Sequence, residues 1–139
     1  MSETSGRLLM EGLPTCANCH SFSRDGKAMA LDVDGPQNDK GMFAIVPVAP
    51  RMAIRNQDVF TWNDFPGKPP GHRTIGFMAQ ISPDGRYAVT TVNEDVYVAN
   101  FKDYRFLQVF YPTRGILAWY DRATGRIRSL PGADNPNFV

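Results

Sequence analysis

The chain has only two cysteines and two histidines among its 139 residues. Two cysteines are too few for a disulfide-stapled secreted scaffold, which needs a framework of several bridges. The 15 basic and 14 acidic side chains leave a formal net charge of +1, so the composition does not favour binding to nucleic acid. No apolar run is long enough to span a bilayer, and no signal peptide is recognisable in residues 1–12.

Glycine and proline punctuate the whole sequence. The 12 glycines and 11 prolines separate short apolar runs, a pattern typical of short strands joined by turns. Hydrophobic residues make up 42% of the chain, enough for a packed core. The sequence therefore predicts an all-β fold. The predicted strands are Ala28–Val33, Gly41–Val48, Ile75–Ile81, Tyr87–Val92, Val96–Asn100, Phe106–Phe110, Ile116–Tyr120 and Arg126–Leu130.

A six-residue motif occurs twice, with an offset of 59 residues. Phe22–Lys27 matches Ile81–Arg86, and both copies contain Ser-x-Asp-Gly followed by a basic residue. In such a turn the Ser and Asp side chains bond nearby backbone N–H groups, so we expect Gly26 and Gly85 at left-handed turn positions. A further hairpin turn is predicted at Asp121–Gly125. The repeated strand–turn–strand unit predicts antiparallel blades of a partial, incomplete β-propeller.

The repeat divides the chain into four parts. Residues 1–20 form a lead-in with the cysteine motif, residues 21–62 a first blade, residues 63–74 a Pro/Gly-rich connection, and residues 75–139 a second blade with the lead-in to another. Two blades cannot close a ring, because propellers need about four to eight. The remaining blades are therefore expected outside this chain, as in the N-terminal piece of a longer protein or a truncated product.

Both cysteines belong to one motif, Cys16-Ala17-Asn18-Cys19-His20. This is the C-x-x-C-H pattern that attaches c-type haem. Two thiols at this spacing can add to the two vinyl groups of a haem, and the adjacent imidazole can bind its iron. The motif therefore predicts one covalent haem c, with Cys16 and Cys19 as thioether residues and His20 as the proximal iron ligand.

Other interpretations of the motif remain open. Cys16, Cys19, His20 and His72 together could form a Cys2His2 zinc site. A thioredoxin-like dithiol would need the motif to open a helix in a βαβ unit, and nothing after His20 has a helical pattern. The two thiols could also be inert.

A bound haem would also need a sixth iron ligand, for which His72 and Met78 are the candidates. His72 is the only other histidine, and the offset of 59 residues aligns it with the lead-in to the motif. The same offset aligns Met78 with Cys19. Met29, Met42 and Met52 are expected to fill the core.

Several stretches resemble a known family. Ile81–Tyr87 resembles the opening hairpin of the TolB-like, WD-type β-propeller repeat, and Ile116–Leu130 resembles its closing hairpin. Gly12–Ser23, Asp32–Gly41 and Tyr97–Phe106 are similar to bacterial extracytoplasmic proteins with a C-x-x-C-H motif at the head of such a propeller. The resemblance implies export to the periplasm or another extracytoplasmic compartment, a propeller fold and haem, but no substrate.

Two functions follow as hypotheses. The first is a haem-binding propeller that transfers electrons or couples a redox change to binding of an as yet unidentified partner. The second is a non-catalytic propeller scaffold without haem that binds protein or glycan. An enzyme is the less favoured interpretation, because no Ser-His-Asp or Cys-His catalytic set and no phosphate-binding glycine loop is recognisable.

Two weaker patterns have plainer explanations. Asp32, Asp34, Asn38 and Asp39 could bind calcium, but the spacing lacks the EF-hand pattern and favours a solvated turn. The aromatic and basic stretch 101–114 could stack on bases or sugars, but alternating apolar residues of this kind are ordinary in packed strands.

Overall fold

The structure, a computed structural model, describes residues 5–13, 17–100 and 108–135. These residues form eight strands and three short 3-10 helices and contain no α-helix, so the all-β prediction is confirmed. The strands are β1 (Ala17–Phe22), β2 (Ala28–Val33), β3 (Met42–Pro47), β4 (Val59–Thr61), β5 (Ile75–Ile81), β6 (Tyr87–Asn100), β7 (Gln108–Asp121) and β8 (Arg126–Ser129). The 3-10 helices are Pro36–Asn38, Asn56–Asp58 and Trp62–Asp64.

The strands form two four-stranded antiparallel sheets, each built from consecutive strands. Sheet 1 has the order β1-β2-β3-β4, and sheet 2 has the order β5-β6-β7-β8. Within each sheet every strand pairs with the next along the chain, so both sheets are meanders. Among the described residues neither sheet closes on itself, which leaves β1 and β5 as edge strands.

The predicted strands differ from the observed ones in two ways. Two pairs of predicted strands merge, because β6 runs through 87–100 and β7 through 108–121 without interruption. Register shifts near Asn93 and Asp95 let the long pair bend without ending. The strands β1 and β4 have no predicted counterpart, since β1 is rich in Asn, His and Ser and β4 has only three residues.

The first Ser-x-Asp-Gly turn has the expected hydrogen bonds. Gly26 has φ 68°. The Ser23 hydroxyl donates to Asp25 over 2.7 Å and accepts the Ala28 N–H over 3.0 Å. The Asp25 carboxylate also accepts the Lys27 N–H over 3.0 Å. These side chains therefore satisfy the backbone groups that a tight turn leaves unpaired.

The second turn repeats this arrangement. Gly85 has φ 71°, the Ser82 hydroxyl donates to Asp84 over 2.5 Å, and Asp84 accepts the Arg86 N–H over 3.0 Å. Donation from Ser82 and then from that N–H lowers the pKa of the Asp84 carboxyl. Donation from the Ser and the N–H in the first turn lowers the pKa of Asp25 in the same way. Both predicted turns are confirmed.

The two sheets share one core. Apolar side chains from both sheets pack between them, with Trp62 fully buried and in contact with the backbone of β5 at Gly76. This cluster consists of Ala30, Phe43, Ile45, Trp62, Phe65, Ala79, Ile81, Ala88, Val92, Ala118 and Ile127. Near the turns, the buried Ser21 hydroxyl accepts the Ile81 N–H over 3.1 Å, which joins the two edge strands.

The other face of sheet 1 has a core of its own. Met29, Leu31, Val33, Ala44, Val46 and Met52 are buried there, with Leu9, Met10, Met42 and Ile54 packed against them. The Met52 N–H donates to the Leu9 carbonyl over 2.8 Å, so the segment before β1 covers this face. The expectation that Met29, Met42 and Met52 fill the core is confirmed.

Candidate functional site

The haem-type motif lies on the edge strand β1. Cys19 and His20 both belong to β1, whereas Cys16 lies outside the described residues. Cys19 is a free, half-buried thiol, and the His20 side chain is exposed. Among the described residues β1 pairs only with β2, so the motif lies at the edge of sheet 1.

A β-bulge sets the direction of these two side chains. Asn18 pairs with Asp32 and Ser21 pairs with Ala30, so Cys19 and His20 together face the single residue between those partners. Cys19 adopts φ 54°, a left-handed conformation that costs a non-glycine residue about 1–3 kcal/mol. The surrounding pairing must therefore hold this conformation in place.

The Cys19 thiol lies near the Asp32 carboxyl group. Burial raises the pKa of Asp32 to about 6, and the nearby thiol opposes part of that rise. Burial also raises the pKa of Cys19, and the nearby Asp32 charge raises it further. Cys19 is therefore held as a thiol, unlike the thiolate of an activated redox cysteine.

The repeat provides an internal comparison for this site. In sheet 2 the bulge recurs between Phe77 and Gln80, where Met78 has φ 52°. With the offset of 59 residues, Met78 stands in the position of Cys19, and Thr91 stands in the position of Asp32. The bulge thus belongs to the repeated fold, while the cysteine–carboxyl pair occurs in the first copy alone. Because the same bulge forms in sheet 2 with Met78 and Thr91, the fold does not require a cysteine and an aspartate at these positions.

The two candidate distal ligands lie in different settings. Met78 is 72% exposed and belongs to the edge strand β5, which packs against β1. His72 is exposed on the connection before β5, where its N–H donates to the Pro69 carbonyl over 3.2 Å. Met78 is therefore at the position in sheet 2 that corresponds to the motif, and His72 is not.

The acidic residues in β2 and directly after it do not form one site. Asp34 forms an ion pair with Lys40 over 2.6 Å, and Asp39 accepts the Gly41 N–H over 3.0 Å. Asp32 lies near the Cys19 thiol instead. Nowhere in the described part of the chain do three or more His, Cys, Asp or Glu side chains gather as a metal site. Asp34 and Asp39 fit the expected solvated turn, but Asp32 does not.

Two further sequence patterns lie partly outside the described residues. Residues 101–107 of the aromatic and basic stretch lie outside them, and the rest of that stretch, residues 108–114, belongs to β7. The zinc alternative includes Cys16, which also lies outside them. Within the described ranges no helix has the length and apolarity needed to cross a membrane.

Comparison with known proteins gives no relative. No family model matches the chain, and no curated protein or solved structure is significantly similar to it.

Proposed function

We propose that this chain is part of a β-propeller protein that carries one covalent c-type haem on Cys16, Cys19 and His20. The observation that carries the proposal is the position of Cys19 and His20 at a bulge of the edge strand β1. The same bulge occurs in β5 of sheet 2. The propeller is supported by two meander sheets that pack on each other through a common core. In each sheet the same Ser-x-Asp-Gly turn joins the first two strands.

The residues fit a haem at the edge of β1. The Cys19 Sγ–H can add across a vinyl C=C bond, with sulfur bonding to one carbon and hydrogen to the other, so no oxidant is needed. The His20 side chain is exposed, so its imidazole can bind iron. The Asp32 carboxyl group lies near the Cys19 thiol and would act as a positioning residue. A bound haem would supply a one-electron redox couple, which suits electron transfer or redox-linked binding.

We favour Met78 over His72 as the distal ligand. Met78 occupies the matching bulge on the strand that packs against β1, and its side chain is 72% exposed. A methionine opposite a histidine gives a higher reduction potential than two histidines. We also expect the parent protein to be extracytoplasmic, because covalent haem attachment takes place there.

The decisive experiment is export in a host that matures c-type cytochromes. We expect a Soret band that stays with the polypeptide after denaturation. Cys19→Ala should leave one unreacted vinyl group, which is detectable in the pyridine haemochrome spectrum. His20→Ala should change the iron spectrum but not the thioethers, and Met78→Ala should change the ferric spectrum and lower the potential.

His72→Ala is the matched control and should leave both the spectrum and the potential unchanged. If a known c-type cytochrome is loaded in the same host and this chain is not, the haem proposal is wrong. The alternative, a haem-free scaffold for protein or glycan, would then stand.

A further inference from the structure

A small cavity lies between the connection that precedes β5 and the long strands β6 and β7. Its volume is about 30 Å³, which is enough for one water molecule or one monatomic ion. Phe65, Val92 and Ile116 line it with apolar side chains, and Val92 and Ile116 pair with each other across β6 and β7. Among the described residues, the polar side chains that line it are those of Lys68 and Thr74. We call this space the Thr74 cavity.

Thr74 contributes a buried hydroxyl group without a partner. The residue is 5% exposed, and its Oγ1 makes no hydrogen bond with the described residues. The Thr74 N–H donates to Oδ1 of Asn63 over 3.1 Å, so the backbone at this position is already bonded and only the hydroxyl is left. A buried hydroxyl that makes no hydrogen bond destabilises the folded state. An occupant of the cavity that accepts from this hydroxyl would remove the penalty.

Lys68 brings a positive charge to the same cavity. Its ammonium group donates to the main-chain carbonyl oxygen of Asn63 and, over 2.8 Å, to Oδ1 of that residue. Both acceptors are neutral, so they do not balance the charge. None of the ion pairs between described residues involves Lys68. An ammonium group has three N–H donors, so the two bonds to Asn63 leave one for the cavity.

These two groups determine the chemistry of the occupant. The ammonium group and the hydroxyl can both donate, and an anion can accept from both of them. The unbalanced charge of Lys68 favours an anion over a neutral molecule, because attraction between opposite charges is stronger beside apolar walls than in water. The volume of about 30 Å³ admits a monatomic ion and excludes a carboxylate or a phosphate.

We propose that the Thr74 cavity binds a single halide ion between the Lys68 ammonium group and the Thr74 hydroxyl. The ion would join the connection before β5 to the strands of sheet 2. It would bind the folded chain alone, because the fold brings the two donors to one cavity. This inference rests neither on haem nor on further propeller blades.

Urea unfolding of the full haem-free chain in chloride and in acetate tests the site. Acetate carries the same charge but is too large for the cavity. A ligand that binds only the folded state stabilises it by mass action. Replacing acetate with chloride at constant ionic strength and about pH 7 should therefore lower the equilibrium constant for unfolding several-fold, and bromide should act in the same way.

Two substitutions in the cavity and one outside it assign the effect. Thr74→Val removes the hydroxyl and keeps a β-branched side chain of similar size, so it should abolish the difference between chloride and acetate. Lys68→Met removes the charge and should do the same. The matched control Lys27→Met removes an exposed lysine from the first turn and should keep the full difference.

Diffraction from crystals grown in bromide locates the ion directly. We expect an anomalous peak within hydrogen-bond distance of Lys68 Nζ and Thr74 Oγ1, and no peak there in Thr74→Val. A water molecule in place of the ion would overturn the proposal, and so would equal stability in chloride and acetate. A chloride effect that survives Thr74→Val would be a general effect of the salt, and a bromide peak without any chloride effect would be binding at crystal concentration only; either result would also overturn it. If a cavity variant does not fold, the wild-type titration and the bromide peak still decide between an ion and a water molecule.

Discussion

Replacing Asp32 with Asn should remove a loss of stability that the wild-type protein suffers between about pH 4 and pH 6. The folded protein raises the pKa of Asp32 from 3.8 to about 6, because burial disfavours its charge. The folded state thus holds this proton more tightly than the unfolded chain does. The contribution of Asp32 to stability is therefore greatest below about pH 4, falls as the pH rises to about 6, and is level above that.

The magnitude follows from the size of the pKa difference. A pKa difference of one corresponds to about 1.4 kcal/mol, so the full difference would give about 3 kcal/mol. Asp32 keeps some contact with solvent, and screening reduces this to about 1–2 kcal/mol. Because an amide carries no charge, Asp32→Asn should be more stable than the wild type by about 1–2 kcal/mol at pH 7. The two proteins should be nearly equal at pH 4.

Urea unfolding followed by far-UV circular dichroism at several pH values measures this difference. Subtracting the two curves removes the contributions of the groups that the substitution does not affect. Asp25 and Asp84 have lowered pKa values, so their contributions are lost only as the pH falls below about 4. Equal pH profiles for wild type and Asp32→Asn would refute the argument, and so would a stability difference that shrinks between pH 4 and 6.

Three further substitutions test the fold that holds the site. In Gly76→Ala the new methyl carbon would lie 2.6 Å from Cγ and 2.8 Å from Nε1 of Trp62. We therefore expect the free energy of unfolding to fall by about 1–3 kcal/mol. The control Gly6→Ala, where no atom lies within 4 Å, should leave the free energy of unfolding almost unchanged. Gly85→Val forces a β-branched side chain to φ 71° and should cost about 1–2 kcal/mol, and a neutral result would contradict the turn assignment. Ser21→Ala leaves a buried N–H of β5 without its acceptor and should cost about 1–3 kcal/mol, whereas an unchanged urea midpoint would show that water replaces the hydroxyl.

The sequence predicted the turns better than the strands. Ser-x-Asp-Gly specifies its own hydrogen bonds within six residues, so both copies could be assigned with their side-chain partners. Strand β1 could not be predicted, because its pairing partners Met29 and Ala30 lie in β2 and its own residues have weak β-propensity. The long strand β6 was divided in two because Asn93 and Asp95 interrupt its apolar pattern, whereas bulges carry the pairing through them.

The sequence does not predict the role of Asp32. The observed register pairs Asp32 with Asn18 and not with Cys19, and no sequence signal marks the bulge that places the Cys19 thiol near the Asp32 carboxyl group. The bulge itself could not be predicted, since a non-glycine residue at positive φ is uncommon and Cys19 and Met78 share no side-chain chemistry that would favour it.

The two bulges show how one fold can carry different side chains at the same position of its two sheets. At each bulge the residue pairs before and after it keep the strands together, so the same backbone shape forms around a cysteine or a methionine. Met78 is 72% exposed there. Cys19 lies near Asp32, while its neighbour His20 is exposed. Exchanging the residues at these two positions should therefore leave both sheets intact in far-UV circular dichroism, although neither copy would then carry cysteine, histidine and aspartate together.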